Sequence, residues 1–250
     1  MRNLFFLAVV AMCFALPVFG QTFSCPSGTE DMLNYVIMGY PNRADNFMGP
    51  GNANPIYSFI SPEEGGSFAP QGYLVWIKGA SGSPWDVKAF DTNYVYDRTT
   101  EYNWTDPYSF RRWNTDLPMF RRCVPTKNGG PNIKVPASNT NYSFYLSCTQ
   151  TQTMNLGYVL NSISAPVSAN TKGNLGSVKT RYFKYRYGCD ATYGNCTDME
   201  VFSLGYGVGL YDWKHYVNKN GSFVLVQDAT INNSEVGQTT PNLPCPNSYQ

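Results

Sequence analysis

His215 is the only histidine in 250 residues. Acid–base chemistry at neutral pH therefore points first to its segment, "EVFSLGYGVGLYDWKHY", residues 200–216. A nucleophile–base–acid arrangement needs a carboxylate that orients the imidazole and a nucleophile within its reach. Asp212 and Glu200 are the candidate acids. A strand over 210–216 sets His215 on one face with Trp213 and Tyr211, and Asp212, Lys214 and Tyr216 on the other. Asp212 then cannot serve His215 along the strand, so a partner must come from another element. No G-x-S-x-G motif is present. Carboxylate pairs for glycoside hydrolysis are available at Asp86 and Asp91, Glu101 and Asp106, or Asp198 and Glu200. The last two lie two apart on one strand face and read as a solvated edge. His215 reads as structural, and no catalytic residue is assigned.

Metal and phosphate chemistry fare no better. The cysteines and the histidine lack zinc-ligand spacing. The acid-rich stretch "FDTNYVYDRTTEYNWTD" gathers oxygen ligands without the spacing of a calcium loop. No metal or cofactor is expected. Gly205, Gly207 and Gly209 depart from the G-x-G-x-x-G pattern, and the run after them alternates as a strand, whereas a phosphate loop needs a helix there. Two readings remain open. The glycines supply positive φ values to the turn of a hairpin between "MEVFSL" and "LYDWKHYV", or they leave a groove on one face of a continuous strand. The hairpin is the preferred reading.

Binding has the clearest chemical basis. Trp85, Tyr102, Trp104, Tyr108 and Trp113 fall in or beside loops, with Arg111 among them in "TTEYNWTDPYSFRRW". Sugars stack their C–H faces on such rings, while Arg, Asn and Asp bond their hydroxyls. These six residues form the predicted binding site. The alternative is a small secondary core under a long loop.

The elements that must position these residues are mostly strands. "YLVWIK", "WDVKAFDTNYVYDR" with a bulge near Thr92, "YSFYLSC", "LGYVLNSI", "VKTRYFKYRY", "MEVFSL", "GLYDWKHYV" and "SFVLVQD" give roughly ten. One or two short helices are expected. One runs through "MLNYVIM" with Thr29 as cap, where "YVIMGY" also reads as a strand, and one lies in "TDPYSFRRWN" with Asp106 as cap and Pro107 at its first position. Tyr182, Lys184 and Arg186 alternate with Phe183, Tyr185 and Tyr187, as in an antiparallel sheet with one wet face. The predicted fold is all-β, an antiparallel β-sandwich of jelly-roll type.

The apolar run "LFFLAVVAMCFAL" after Arg2 reads as a signal peptide over residues 1–20, with a single disulfide-bonded β-sandwich domain over 21–250. No later run approaches the length of a membrane helix. Removing residues 1–20 leaves 17 basic residues (18 minus Arg2) against 17 acidic ones, which lacks the basic surplus of a nucleic-acid binder. It also leaves six cysteines, an even number suited to three disulfides in a secreted protein. Cys189 and Cys196 bracket a short loop and are paired first. Cys25 pairs with Cys245 because domain ends are often neighbours, which leaves Cys123 with Cys148.

The stretch "EVFSLGYGVGLYDWKHY", with its G-V-G-L turn, resembles a signature of exported bacterial β-sandwich proteins of unassigned function. "SPWDVKAFDTNYVYDRTTEYNWTDPYSFRRW" is similar to segments of secreted proteins of acidobacterial type. The resemblance implies a fold and an extracellular or periplasmic location, with no chemistry attached. The expected function is non-catalytic binding of a carbohydrate or cell-surface ligand. A structural protein of the cell envelope and a carbohydrate-active enzyme are the alternatives.

Overall fold

A computed structural model of the chain describes residues 23–36, 45–48, 56–60, 72–78, 83–101, 109–171, 176–230 and 233–236. The expected signal peptide, Tyr102, Trp104, Tyr108 and Cys245 lie outside the described residues. In chain order the elements begin with β1 (Thr29–Asp31), α1 (Leu33–Val36), β2 (Asp45–Met48), β3 (Ile56–Ile60), β4 (Gly72–Lys78) and β5 (Ser83–Phe90). Next come β6 (Tyr94–Glu101), β7 (Phe110–Arg121), β8 (Cys123–Pro125), β9 (Ile133–Val135), a single 3-10 turn at Ala137–Asn139, β10 (Asn141–Leu146) and β11 (Thr149–Asn155). The chain continues through β12 (Tyr158–Ile163), β13 (Val167–Asn170), β14 (Ser177–Cys189) and β15 (Asp198–Gly205). It closes with β16 (Gly209–Lys219), β17 (Ser222–Thr230) and β18 (Asn233–Val236).

The strands pair antiparallel in two large sheets and one small one. The larger has the order β11-β10-β7-β6-β5-β4-β3-β2-β18, the second β17-β16-β15-β14-β12-β9 with β13 beside β14, and β1 pairs β8. The all-β, antiparallel expectation therefore holds. The order is mostly that of up-and-down neighbours, and nothing in it singles out jelly-roll winding. Inner faces of the two large sheets meet in an apolar layer. Phe90, Val95, Met119 and Phe120 come from one side, and Phe183, Phe202, Leu204 and Trp213 from the other. Phe120 and Phe183 meet edge to face with centroids 5.1 Å apart.

Local chemistry explains where the elements differ from expectation. The run 85–98 is two strands. Asp91 Oδ1 accepts the N–H groups of Asn93 (2.7 Å) and Tyr94 (2.8 Å), so it closes a hairpin where a bulge near Thr92 was expected. The bulge in this pair sits instead between Val87 and Lys88. "FRRWN" is strand and not helix, because Phe110–Arg121 is paired on one side to β6 and on the other to β10, while Asp106 and Pro107 of the expected helix lie outside the described residues. Tertiary pairing overrides a local helix signal of this length. Strand β11 escaped notice because "TQTQTMN" is exposed throughout and has no apolar alternation. Ser147 and Cys148, both at positive φ (47° and 61°), turn the chain back to make it pair with β10. The first helix is a single turn. Asp31, not Thr29, caps it by accepting the Leu33 N–H at 2.9 Å, while Thr29 lies in β1.

Two enclosed guanidinium groups clasp this N-terminal segment to the sheets. Arg122 is fully buried and reaches Asp31 Oδ2 at 3.0 Å and the Asp91 carbonyl at 3.0 Å, with the Phe23 ring centre 3.6 Å from its guanidinium. Arg181, also fully buried, reaches Glu30 Oε1 at 2.6 Å and the carbonyls of Asn128 and Ser164. Glu30 also accepts from Lys179 and from the Tyr35 hydroxyl. Burial pushes its carboxyl up, but the Lys179, Arg181 and Tyr35 donors outweigh that and hold it below the usual value.

The disulfides require a correction. Cys189 bonds Cys196 as expected, but Cys25 bonds Cys123. The pairings Cys25–Cys245 and Cys123–Cys148 are thereby overturned, although Cys148 is itself disulfide-bonded. The reason is register: β1 against β8 places Asp31 opposite Cys123 and draws the N-terminal segment alongside. Neighbouring chain ends were the wrong guide. Asp190 organises the loop within the other bridge. Hydrogen bonds from Thr192 and Asn195 hold its carboxyl down at about 2.

Candidate functional site

The inner face of the seven-stranded sheet grades from apolar to polar along its strands. Alternation in β14 turns Phe183, Tyr185 and Tyr187 inward. The β15 register sets Phe202, Glu200 and Asp198 beside them, and β16 adds Trp213, His215 and Val217. The first row is core. The second and third rows collect a carboxyl, two phenols, an imidazole and another carboxyl on one surface.

Across the gap, the larger sheet answers the second row with a buried ion pair. Lys88 Nζ stands 2.7 Å from Asp97 Oδ1, both enclosed. Asp97 also accepts from Thr100 Oγ1 (2.8 Å) and from the Trp113 indole N–H (2.9 Å). These hydrogen bonds satisfy a carboxylate that burial would otherwise penalise. A cavity of about 20 Å³ separates this cluster from Glu200 and Tyr185, with Phe183, Phe202 and Leu117 among its walls. That is room for a water molecule and no more. Burial pushes the Glu200 carboxyl up, opposed by the Trp213 N–H at 2.8 Å and by the nearby His215 and Lys88.

The third row reaches solvent and forms the mouth of the gap. His215 Nε2 lies 3.0 Å from Asp198 Oδ1 and 3.4 Å from the Tyr187 hydroxyl. The His215 and Asp198 side chains are 22% and 24% exposed. The His215 ring is stacked between Tyr187 (6.5 Å, 17°) and Trp213 (6.3 Å, 25°), and Tyr185 continues the row beside Tyr187 at 5.0 Å. Burial pushes the Tyr187 phenol well above its ordinary value, and the charges of Glu200 and Asp198 add to it, partly offset by Arg111. The phenol therefore stays neutral and offers a hydroxyl. Beyond His215 and Val217, strand β17 supplies Gln227 and Val224 as exposed cross-strand neighbours.

Set against known protein families, curated proteins and solved structures, the chain matches none. The geometry alone describes this site. Among the described residues no group of three or more His, Cys, Asp or Glu converges as a metal site, and no helix is long and apolar enough to cross a membrane.

Of the predicted residues whose side chains are described, Arg111 and Trp113, Arg111 is the one beside the mouth. It leaves β7 with its guanidinium 5.5 Å from the Tyr142 ring, and its charge reaches Tyr185 and Tyr187. Trp113 is only 4% exposed, with its N–H on Asp97 and its ring edge-on to Tyr142. It takes the alternative role, that of a core ring. Trp85 lies in β5, whose backbone is described there, and Tyr102, Trp104 and Tyr108 lie beyond the described residues. The sequence reading placed His215 and Trp213 on one face correctly, but looked to Asp212 or Glu200 for a partner. Asp198 is that partner, two residues before Glu200 in the adjacent strand. A register counted straight from the glycine turn would have missed it, because the bulge between Ser203 and Leu204 shifts the pairing by one residue.

That turn is now defined. Val208 N–H donates to the Gly205 carbonyl (3.0 Å), and the third turn residue, Gly207, has φ +69°, as a type II turn requires. Gly209 follows at 86°. The groove reading fails at Gly205, where an added Cβ would come within 2.8 Å of Val178 Cγ1 and 3.3 Å of the Tyr211 ring. Protein side chains already fill that space.

Proposed function

We propose that this protein is an exported, non-catalytic carbohydrate-binding protein that takes its ligand at the mouth between the two sheets. The observation that carries the reading is the solvent-reached His215–Asp198 pair set in a stacked row of rings. A sugar has apolar C–H faces and a rim of hydroxyls. The Tyr187 and His215 rings suit the faces, Asp198 and Gln227 suit the hydroxyls, and Val217 with Val224 extends the apolar floor. Trp113 no longer belongs to the predicted platform, while Arg111 remains beside it. Disulfides at Cys25–Cys123 and Cys189–Cys196 support an oxidising compartment and hence export.

A binding role fits the placement of the carboxyls better than hydrolysis does. A general acid must reach the glycosidic oxygen. Glu200 is committed to Trp213 and faces a cavity about the size of a water molecule. Fold alone licenses neither reading.

The test is a glycan-array screen followed by calorimetry on the mature protein. Asp198→Asn and Gln227→Ala sit at the solvent edge and should leave thermal stability unchanged. Each should weaken binding of the selected glycan by about tenfold, the loss of one or two hydrogen bonds. No bound glycan, or binding indifferent to both substitutions, would overturn the site. Polymer turnover abolished by Glu200→Gln would overturn the non-catalytic reading.

A further inference from the structure

The outward face of the seven-stranded sheet shares no residue with the mouth. Its register lines up Lys134, Leu160, Arg186, Met199 and Tyr216 in one row across β9, β12, β14, β15 and β16. The adjacent row runs Ser162, Lys184, Val201 and Lys214. Acids gather at one end only. Asp212 bonds Lys214 at 2.8 Å, and Asp228 lies opposite Lys214 on β17. At the other end, Lys134 and Lys184 are exposed and, among the described residues, neither meets an acid. Arg186 Nε is buried and has no hydrogen-bond acceptor. The nearby loop acid, Asp190, already receives donors from Thr192, Gly194 and Asn195. Lys134 also stands 5.0 Å from the Tyr193 ring centre.

We propose that this face is a second binding surface, and that its ligand is an acidic polysaccharide. Lys134, Lys184 and Arg186 meet its carboxylates or sulfate esters, and Tyr193 and Tyr216 meet its sugar rings. The spacing sets the class. Lys134 and Arg186 are two strands apart, about 10 Å, while Lys184 and Arg186 are about 7 Å apart along one strand. Such sparse cations suit a polymer with at most one acidic group on each sugar. Duplex nucleic acid carries a charge about every 1.7 Å, far denser than this row, and the chain as a whole has a net charge of only +1. An orphaned guanidinium Nε supplies the remaining argument. The Nε is enclosed, so the half-buried Arg186 side chain must swing outward to meet a carboxylate or sulfate oxygen, and that step relieves the cost of a buried donor without an acceptor. The ligand class overlaps that proposed for the mouth, but the two surfaces stand or fall separately.

Affinity electrophoresis of the whole protein tests this, in gels carrying polygalacturonate, dextran sulfate or neutral dextran. Retardation by an acidic gel and not by the neutral one is expected, weakening as salt rises from about 50 to 200 mM. Retardation by polygalacturonate alone assigns carboxylate, by dextran sulfate alone sulfate ester, and by both the shared anionic chemistry. Lys134→Glu with Lys184→Glu, both exposed and compatible with an unchanged melting temperature, should weaken retention by roughly tenfold or more. Asp198→Asn should retain it, which separates this surface from the mouth. The proposal is overturned by three results: no retention in either acidic gel, retention unaffected by the double substitution, or tighter binding to duplex DNA or to anionic phosphatidylglycerol vesicles.

Discussion

At Glu200, burial and hydrogen bonding oppose each other, and burial prevails. The folded protein therefore holds a proton there at pH values where the unfolded chain has already released it. Between the ordinary carboxyl value and the raised one, the folded state binds more protons, so stability falls as pH rises, and above the window the full cost remains. Glu200→Gln keeps an acceptor for the Trp213 N–H and removes the ionisation. Its melting temperature should exceed the parent's at pH 7 to 8, and the gap should close as pH falls to about 4. A gap that ignores pH would assign the titration elsewhere. Asp31 offers a second test at this scale. Asn at this position still caps α1 but removes the Asp31 carboxylate from the fully buried Arg122 guanidinium. A loss of about 3 kcal/mol in urea unfolding is expected, the low end for breaking a buried pair because Asp31 is partly reached by solvent.

Among the elements, the β15–β16 hairpin is the one that sets the mouth. It places Glu200 opposite His215 and Asp198 opposite Val217, so a register slip would turn these side chains to the other face. The hairpin is held at its tip. Gly207 N–H donates to Asn34 of the helical turn at 2.7 Å, Tyr206 N–H donates to Lys179, and the Tyr206 ring packs edge-on against Tyr35 at 5.3 Å. Gly207→Ala meets open space but an unfavourable φ, and should cost at least about 1 kcal/mol. Gly207→Asn should cost less, since Asn tolerates the left-handed region. Comparable losses for Ala and Asn in thermal denaturation would mean that something other than φ sets the tolerance here. The glycine spacing made this turn legible in advance. Strand β11 was not legible, because its pairing depends on a turn through Ser147 and Cys148 and on no apolar side of its own.

For the molecule as a whole, the two described disulfides act over different lengths of chain. Cys25–Cys123 spans a separation of 98 residues and Cys189–Cys196 only 7. Loop-closure entropy assigns the long one about 4.7 kcal/mol and the short one about 2.5. Replacing both cysteines of the long bridge by serine should therefore destabilise more than the same change in the short one. An equal loss in denaturant midpoint, at unchanged slope, would argue that the entropic account fails here. The long bridge acts with the Asp31–Arg122 and Glu30–Arg181 pairs, which tie the same N-terminal segment to both large sheets. Reducing agent should consequently loosen that segment first, readable as early hydrogen exchange at Glu30 to Val36.

The sequence by itself determined the period-two alternation of β14 to β16, the glycine turn, the Cys189–Cys196 bridge and thereby an antiparallel all-β fold. These are local properties: alternation selects a face, positive φ selects glycine, and a short loop between strands brings its ends together. Tertiary structure alone decided that Asp198 partners His215, that Trp113 is buried on Asp97, and that Cys25 bonds Cys123. Each joins residues through strand register or sheet-on-sheet packing, with the Cys25–Cys123 pair 98 positions apart. One-dimensional spacing carries no term for that distance. The same holds for the two proposed surfaces, since strand pairing gathers His215, Asp198 and Tyr187 on one face and Lys134, Lys184 and Arg186 on the other.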